Sequence, residues 1–104
     1  MTSHFIVQIE LAAPDDLSAE TLVSLRAQET VRARELAEAG ALIRLWRIPT
    51  RWANIGLWAA DDEAALRSTL DSLPLRSLMT ITISPVVRHP SDPDGDCNQR
   101  TDQR

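Results

Sequence analysis

Leu42-Ile43-Arg44-Leu45-Trp46-Arg47-Ile48-Pro49-Thr50-Arg51-Trp52-Ala53-Asn54-Ile55-Gly56-Leu57-Trp58 is the stretch whose reading decides the fold. Two apolar-rich runs flank a short connection. Pro49 lacks the N–H that a central ladder needs, so it ends the first run, Leu42 to Ile48. Three residues, Pro49-Thr50-Arg51, then join it to a second run, Trp52 to Trp58, and this spacing predicts a hairpin. Side chains alternate along a strand. Ile43, Leu45 and Arg47 therefore share one face of the first run, and Leu42, Arg44, Trp46 and Ile48 the other. In the second run Ala53, Ile55 and Leu57 read as the helix-facing set, with Trp52, Asn54, Gly56 and Trp58 pointing away.

Upstream of the hairpin, Phe5, Val7, Ile9 and Leu11 alternate with Gln8 and Glu10, a half-buried strand. Pro14 and two aspartates make a loop. Ser18 is a helix cap with Glu20 in the first turn, and the helix is expected from Ala19 to Ala39, with Gly40 as its stop. Downstream, Asp61 or Asp62 caps a second helix that carries Ala65, Leu66, Leu70 and Leu73 and ends at Pro74. Leu78 to Val87 is a fourth strand in which Met79, Ile81 and Ile83 alternate with Thr80, Thr82 and Ser84. The order β-α-β-β-α-β is the ferredoxin-like split βαβ pattern: an α+β fold, an antiparallel sheet with two helices on one face. Residues 1–90 read as one domain and 91–104 as a disordered polar tail.

The chain has 104 residues, 43% of them hydrophobic and 25% charged, with net charge −4. An acidic chain without a basic stripe is a poor partner for nucleic acid or an anionic membrane. No apolar run approaches the eighteen residues of a membrane span. Met1 to Glu10 lacks the pattern of a secretory leader, and the single cysteine, Cys97, cannot form an internal disulfide; both point to a cytoplasmic protein. Two histidines and one cysteine lie scattered without metal-ligand spacing. There is no glycine-rich phosphate loop and no nucleophile elbow, so no cofactor or metal is expected.

Chemistry is expected on the first helix. At 100° per residue Leu22, Leu25, Ala33 and Leu36 form one stripe, and Glu29 falls in its middle. A carboxylate facing a core is costly unless paired or protonated, and burial raises its pKa. That suits a general base for a carbon acid, although structural pairing with an arginine fits the periodicity equally well. Arg26, one turn earlier, lies within reach of Glu29. Arg47 is an inward cation, able to pair with Glu29 or to grip a substrate carboxylate by its fork. Arg51 in the hairpin is a second anion candidate. Asn54, among apolar neighbours, needs hydrogen-bond partners. Trp46, Trp52 and Trp58, in a chain with one Phe and no Tyr, are read as covering the open face of the sheet, which another subunit would then bury.

Several segments together resemble the muconolactone delta-isomerase family: Arg26-Ala27-Gln28-Glu29, Leu45-Trp46-Arg47, Arg51-Trp52-Ala53-Asn54-Ile55, Ser72-Leu73-Pro74-Leu75 and Arg88-His89-Pro90, in family order from Phe5 to Ser91. The resemblance implies a cofactor-independent isomerase acting on a small acidic lactone. Muconolactone would become 3-oxoadipate enol-lactone in catechol degradation, the β-ketoadipate route, and the subunits would form a ring-like homo-oligomer, a decamer. It gives Glu29 the role of base and Arg26, where the family usually has lysine, that of the cation at the developing enolate. Arg47 and Arg51 match family arginines that would hold the carboxymethyl group, with Trp46 and Asn54 beside the substrate. The chain departs from the pattern at Thr30, where lysine is common, at Trp52, where tyrosine is common, at Leu42, and at Arg76-Ser77-Leu78. Two alternatives stand beside this reading: a chloromuconolactone dehalogenase of the same family, and a non-catalytic dimeric α+β module that binds a small molecule.

Overall fold

The computed structural model describes residues 2–94. The expected tail from residue 95 onward, with Cys97, lies outside the described residues. The chain runs β1 (Ser3–Leu11), α1 (Ala19–Glu38), β2 (Leu42–Ile48), β3 (Ala53–Ala60), α2 (Glu63–Asp71), a short 3-10 turn (Arg76–Leu78) and β4 (Met79–Val86). The strands form one antiparallel sheet in the order β2-β3-β1-β4, as the ferredoxin-like pattern requires.

Helix ends follow from local chemistry. The Ser18 hydroxyl accepts the Thr21 N–H at 3.1 Å, and the Asp62 carboxylate accepts the Ala65 N–H at 2.8 Å; each satisfies a donor the first helical turn leaves open. At the other end of α1, Gly40 adopts φ +84°. The Ala41 N–H then reaches back to the Leu36 carbonyl at 2.9 Å and the Gly40 N–H to that of Ala37 at 3.1 Å, the paired bonds that close a helix on a left-handed residue. α2 stops at Asp71, before Pro74, and Leu73 packs into the core from beyond the helix.

The core lies between the helices and one face of the sheet: Phe5, Val7 and Ile9 of β1, Leu36 of α1, Leu42, Trp58, Leu66, Leu70 and Leu73. This reverses the expected faces of β3. Directly opposed residues of an antiparallel pair share a face, and Phe5 opposes Trp58, Val7 opposes Gly56 and Ile9 opposes Asn54. The helix-facing set of β3 is therefore Asn54, Gly56 and Trp58, and Ile55 and Leu57 point away. Trp58 is only 2% exposed, so it fills the intramolecular core and not the open face. The register of β2 also slips between Leu42 and Arg44. The extra residue lets Leu42 oppose Trp58 on the inner side while Leu45 and Arg47, opposite Gly56 and Asn54, stay inward too. Trp46 opposes Ile55 on the outer face and is 52% exposed.

Candidate active site

Glu29 sits on the inward side of α1, half-buried. Its Oε1 accepts the backbone N–H of Leu75 at 3.0 Å. Leu75 follows Pro74, in the segment that carries the chain from α2 to the 3-10 turn, so the carboxylate is tied to an element 46 residues away in sequence. Burial pushes the Glu29 carboxyl above its ordinary value, and the Leu75 hydrogen bond opposes that only in part. No ion pair reaches Glu29 among the described residues. The pairings with Arg26 or Arg47 that the sequence allowed are not made, and no partner cation pulls the pKa down.

Beside Glu29 opens a cleft of about 520 Å³ between α1, the ends of β2 and β3, and Leu75. That volume suits a small-molecule ligand. Arg26, Glu29, Arg47, Arg51 and Asn54 all line it. Trp46 does not; alternation on β2 sends it to the opposite side of the sheet. The three arginines are held differently. Arg51 Nε lies 3.5 Å from Glu10 Oε1. The guanidinium carbon of Arg26 lies 4.8 Å from the centroid of the Trp52 ring, a cation–π distance. Arg47 makes no ion pair or side-chain hydrogen bond among the described residues. Asn54 Oδ1 is buried without a hydrogen-bond partner among the described residues, an acceptor at the cleft wall.

Such a site combines a partly desolvated base whose second oxygen is uncommitted, cations for an anionic ligand and a cation near the base. It can remove and return a proton on carbon while stabilising the enolate. Among the described residues no three His, Cys, Asp or Glu side chains group to hold a metal.

The profile of the muconolactone delta-isomerase family matches residues 3–92. The chain belongs to the muconolactone delta-isomerase family. The Pseudomonas aeruginosa muconolactone delta-isomerase is 36% identical over 87 residues, 84% of this chain and 91% of that protein. Muconolactone delta-isomerase 1 of Acinetobacter lwoffii is 32% identical with the same coverage. A crystal structure of muconolactone isomerase superposes with a TM-score of 0.80 at 32% identity, over 89% of this chain and 97% of that one. SnoaB, a cofactor-independent oxygenase from Streptomyces nogalater, shares the fold at 16% identity with a TM-score of 0.51.

Two features of the site were not read from the sequence. One is the Leu75 N–H, a backbone donor that every residue but proline carries and that only the tertiary fold brings to Glu29. The other is Trp52, taken for an open-face residue but found lining the cleft under Arg26. The available signal was that the resemblance puts Trp52 where tyrosine is common.

Proposed function

We propose that this protein is a muconolactone delta-isomerase in which Glu29 carries out a cofactor-independent proton shift. The observation that carries the reading is Glu29 itself: half-buried, tethered through Oε1 to Leu75, without an ion pair among the described residues and facing a cleft lined with arginines. In the step inferred, Oε2 of ionised Glu29 takes the ring proton on the carbon that bears the carboxymethyl group. The C–H electron pair moves through the ring double bond and places negative charge on the lactone's carbonyl oxygen. Arg26 stabilises that oxygen, and protonated Glu29 returns the proton two carbons along, beside the carbonyl. The double bond moves with no net gain or loss of electrons or atoms, and a proton that exchanges with solvent while on Glu29 is replaced by deuterium in D2O.

Arg47 is assigned to the substrate carboxylate, because it alone of the three cleft arginines has neither an ion pair nor a stacking partner. Arg51, engaged with Glu10, is assigned to the rim and to long-range attraction. Asn54 is assigned to donate from its amide Nδ2 to an oxygen of the bound lactone. Trp46, outside the cleft, is assigned to assembly. Residues 1–90 are assigned to the catalytic domain. The chain is further proposed to work in the cytoplasm as a homo-oligomer, a decamer. Its outer sheet face, with Trp46, Ile55 and Leu57, has no helix layer to cover it.

The test is incubation with muconolactone in D2O, following substrate loss and deuterium incorporation, with wild type beside Glu29→Gln. Wild type is expected to turn over, and Glu29→Gln to fall by about 10²–10⁴-fold in kcat while keeping its circular dichroism. Full activity in the variant refutes Glu29 as base. Chloride release from chloromuconolactone without isomerisation of the plain lactone moves the protein to the dehalogenating branch, and turnover of neither lactone leaves a binding module.

A further inference from the structure

We propose that Trp52 is a positioning residue that holds the Arg26 guanidinium at the cleft with its charge uncompensated. The inference rests on the reading of Arg26 as the cation that meets the developing enolate.

Three observations carry it. First, Arg26 is a long, exposed side chain on α1 whose guanidinium has no carboxylate partner among the described residues. The guanidinium rests over the Trp52 ring, 4.8 Å from Cζ to centroid. Second, Trp52 is a firm support. Its carbonyl accepts the Leu11 N–H at 3.0 Å, tying it to the end of β1, and the next residue, Ala53, is paired to Glu10 on one side and Ile48 on the other. Third, both residues line the same cleft as Glu29, and Arg26 lies one helical turn before it.

The chemistry distinguishes this tether from an ion pair. A carboxylate partner would cancel the positive charge and occupy the N–H fork. An aromatic face attracts the cation through the ring quadrupole and leaves the guanidinium charged. The cost of ordering the arginine chain is then met before the substrate arrives. Arg51 offers the contrast on the same cleft, since Glu10 holds it by charge. The cation and the base have different contacts, the hairpin's Trp52 for Arg26 and the Leu75 N–H for Glu29.

The experiment compares Trp52→Leu, Trp52→Phe, Arg26→Ala and the double variant Trp52→Leu/Arg26→Ala. Trp52→Leu is expected to lower kcat about tenfold with KM within about twofold, and Trp52→Phe to lie between it and wild type. In the Arg26→Ala background Trp52→Leu is expected to have no further effect. Additive losses, or an unchanged kcat in Trp52→Leu while Arg26→Ala is impaired, overturn the positioning role alone. An unchanged kcat in Arg26→Ala overturns it together with the assignment of Arg26. A readout independent of turnover is the upfield ring-current shift of the Arg26 side-chain protons in wild type, lost in Trp52→Leu. Absence of that shift in wild type overturns the inference even if the lactone is not a substrate.

Discussion

Glu29 is a side chain held where its ionised form is costly. In the unfolded chain a glutamate titrates near ~4.3; in the fold, desolvation raises that value. Below the lower of the two values both states hold the proton and Glu29 costs nothing. As pH rises through the folded value the native state must carry a partly desolvated charge, and stability is lost. Glu29→Gln is therefore expected to melt above wild type at pH 7 and level with it below about pH 4, measured by thermal denaturation at both pH values. The amide oxygen of glutamine can still accept the Leu75 N–H, so the tether itself is kept. With Glu29 as the proposed base, the same shift is expected to set the acid limb of activity. kcat/KM for the lactone is expected to rise with pH through an apparent pKa above the ordinary glutamate value, since only the ionised form removes a proton. A limb at an ordinary carboxylate pKa would indicate that the base is solvated. Both the identity and the helix position of Glu29 were legible in the periodicity of α1. Its freedom from Arg26 and Arg47 was not, because either cation lay within reach and only packing decided where each went.

At the scale of the element, β3 is where sequence reading and structure part. Alternation was read correctly and the phase was not: in a strand rich in apolar residues on both sides, Ala53-Ile55-Leu57 and Gly56-Trp58 are both plausible inner faces. Pairing with β1 decides it, and Gly56 shows why the inner set works. A Cβ built on Gly56 would lie 2.6 Å from Trp58 Nε1 and 3.1 Å from Trp58 Cδ1, so the missing side chain is the space in which the indole lies. Gly56→Ala is expected to destabilise the fold by about 1–3 kcal/mol through overpacking, read from chemical denaturation midpoints. Gly56→Ala combined with Trp58→Leu is expected to cost less than the sum of the two single changes, because the clash is shared. Strict additivity would mean that the indole has room to move aside. Both ends of α1, by contrast, were readable from Ser18 and Gly40, since a cap is satisfied by neighbours three or four positions away. For α2 the start was narrowed to Asp61 or Asp62, of which Asp62 is the cap, and the helix stops at Asp71, short of the expected Pro74.

For the whole molecule, two helices cover one face of a four-stranded sheet and leave the other, with Trp46 and its neighbours, to solvent in the single chain. The proposed assembly is expected as a single large species in sedimentation velocity at micromolar concentration, and Trp46→Glu is expected to shift it to smaller species without loss of secondary structure. A wild type that sediments as a monomer would overturn the assembly. The amino-acid sequence by itself determined the order of elements, the Ser18 and Gly40 ends of α1, the family and the residues Glu29, Arg26, Arg47, Arg51 and Asn54 as candidates, because those are set by local periodicity, turn chemistry and motif. The tertiary structure alone decided which face of β3 is buried, that Trp58 is core and Trp46 is surface, that Leu75 tethers Glu29, and that Arg26 rests on Trp52. Each of these depends on strand register or on contacts between residues distant in the chain, and no local pattern encodes a partner that folding must first bring near.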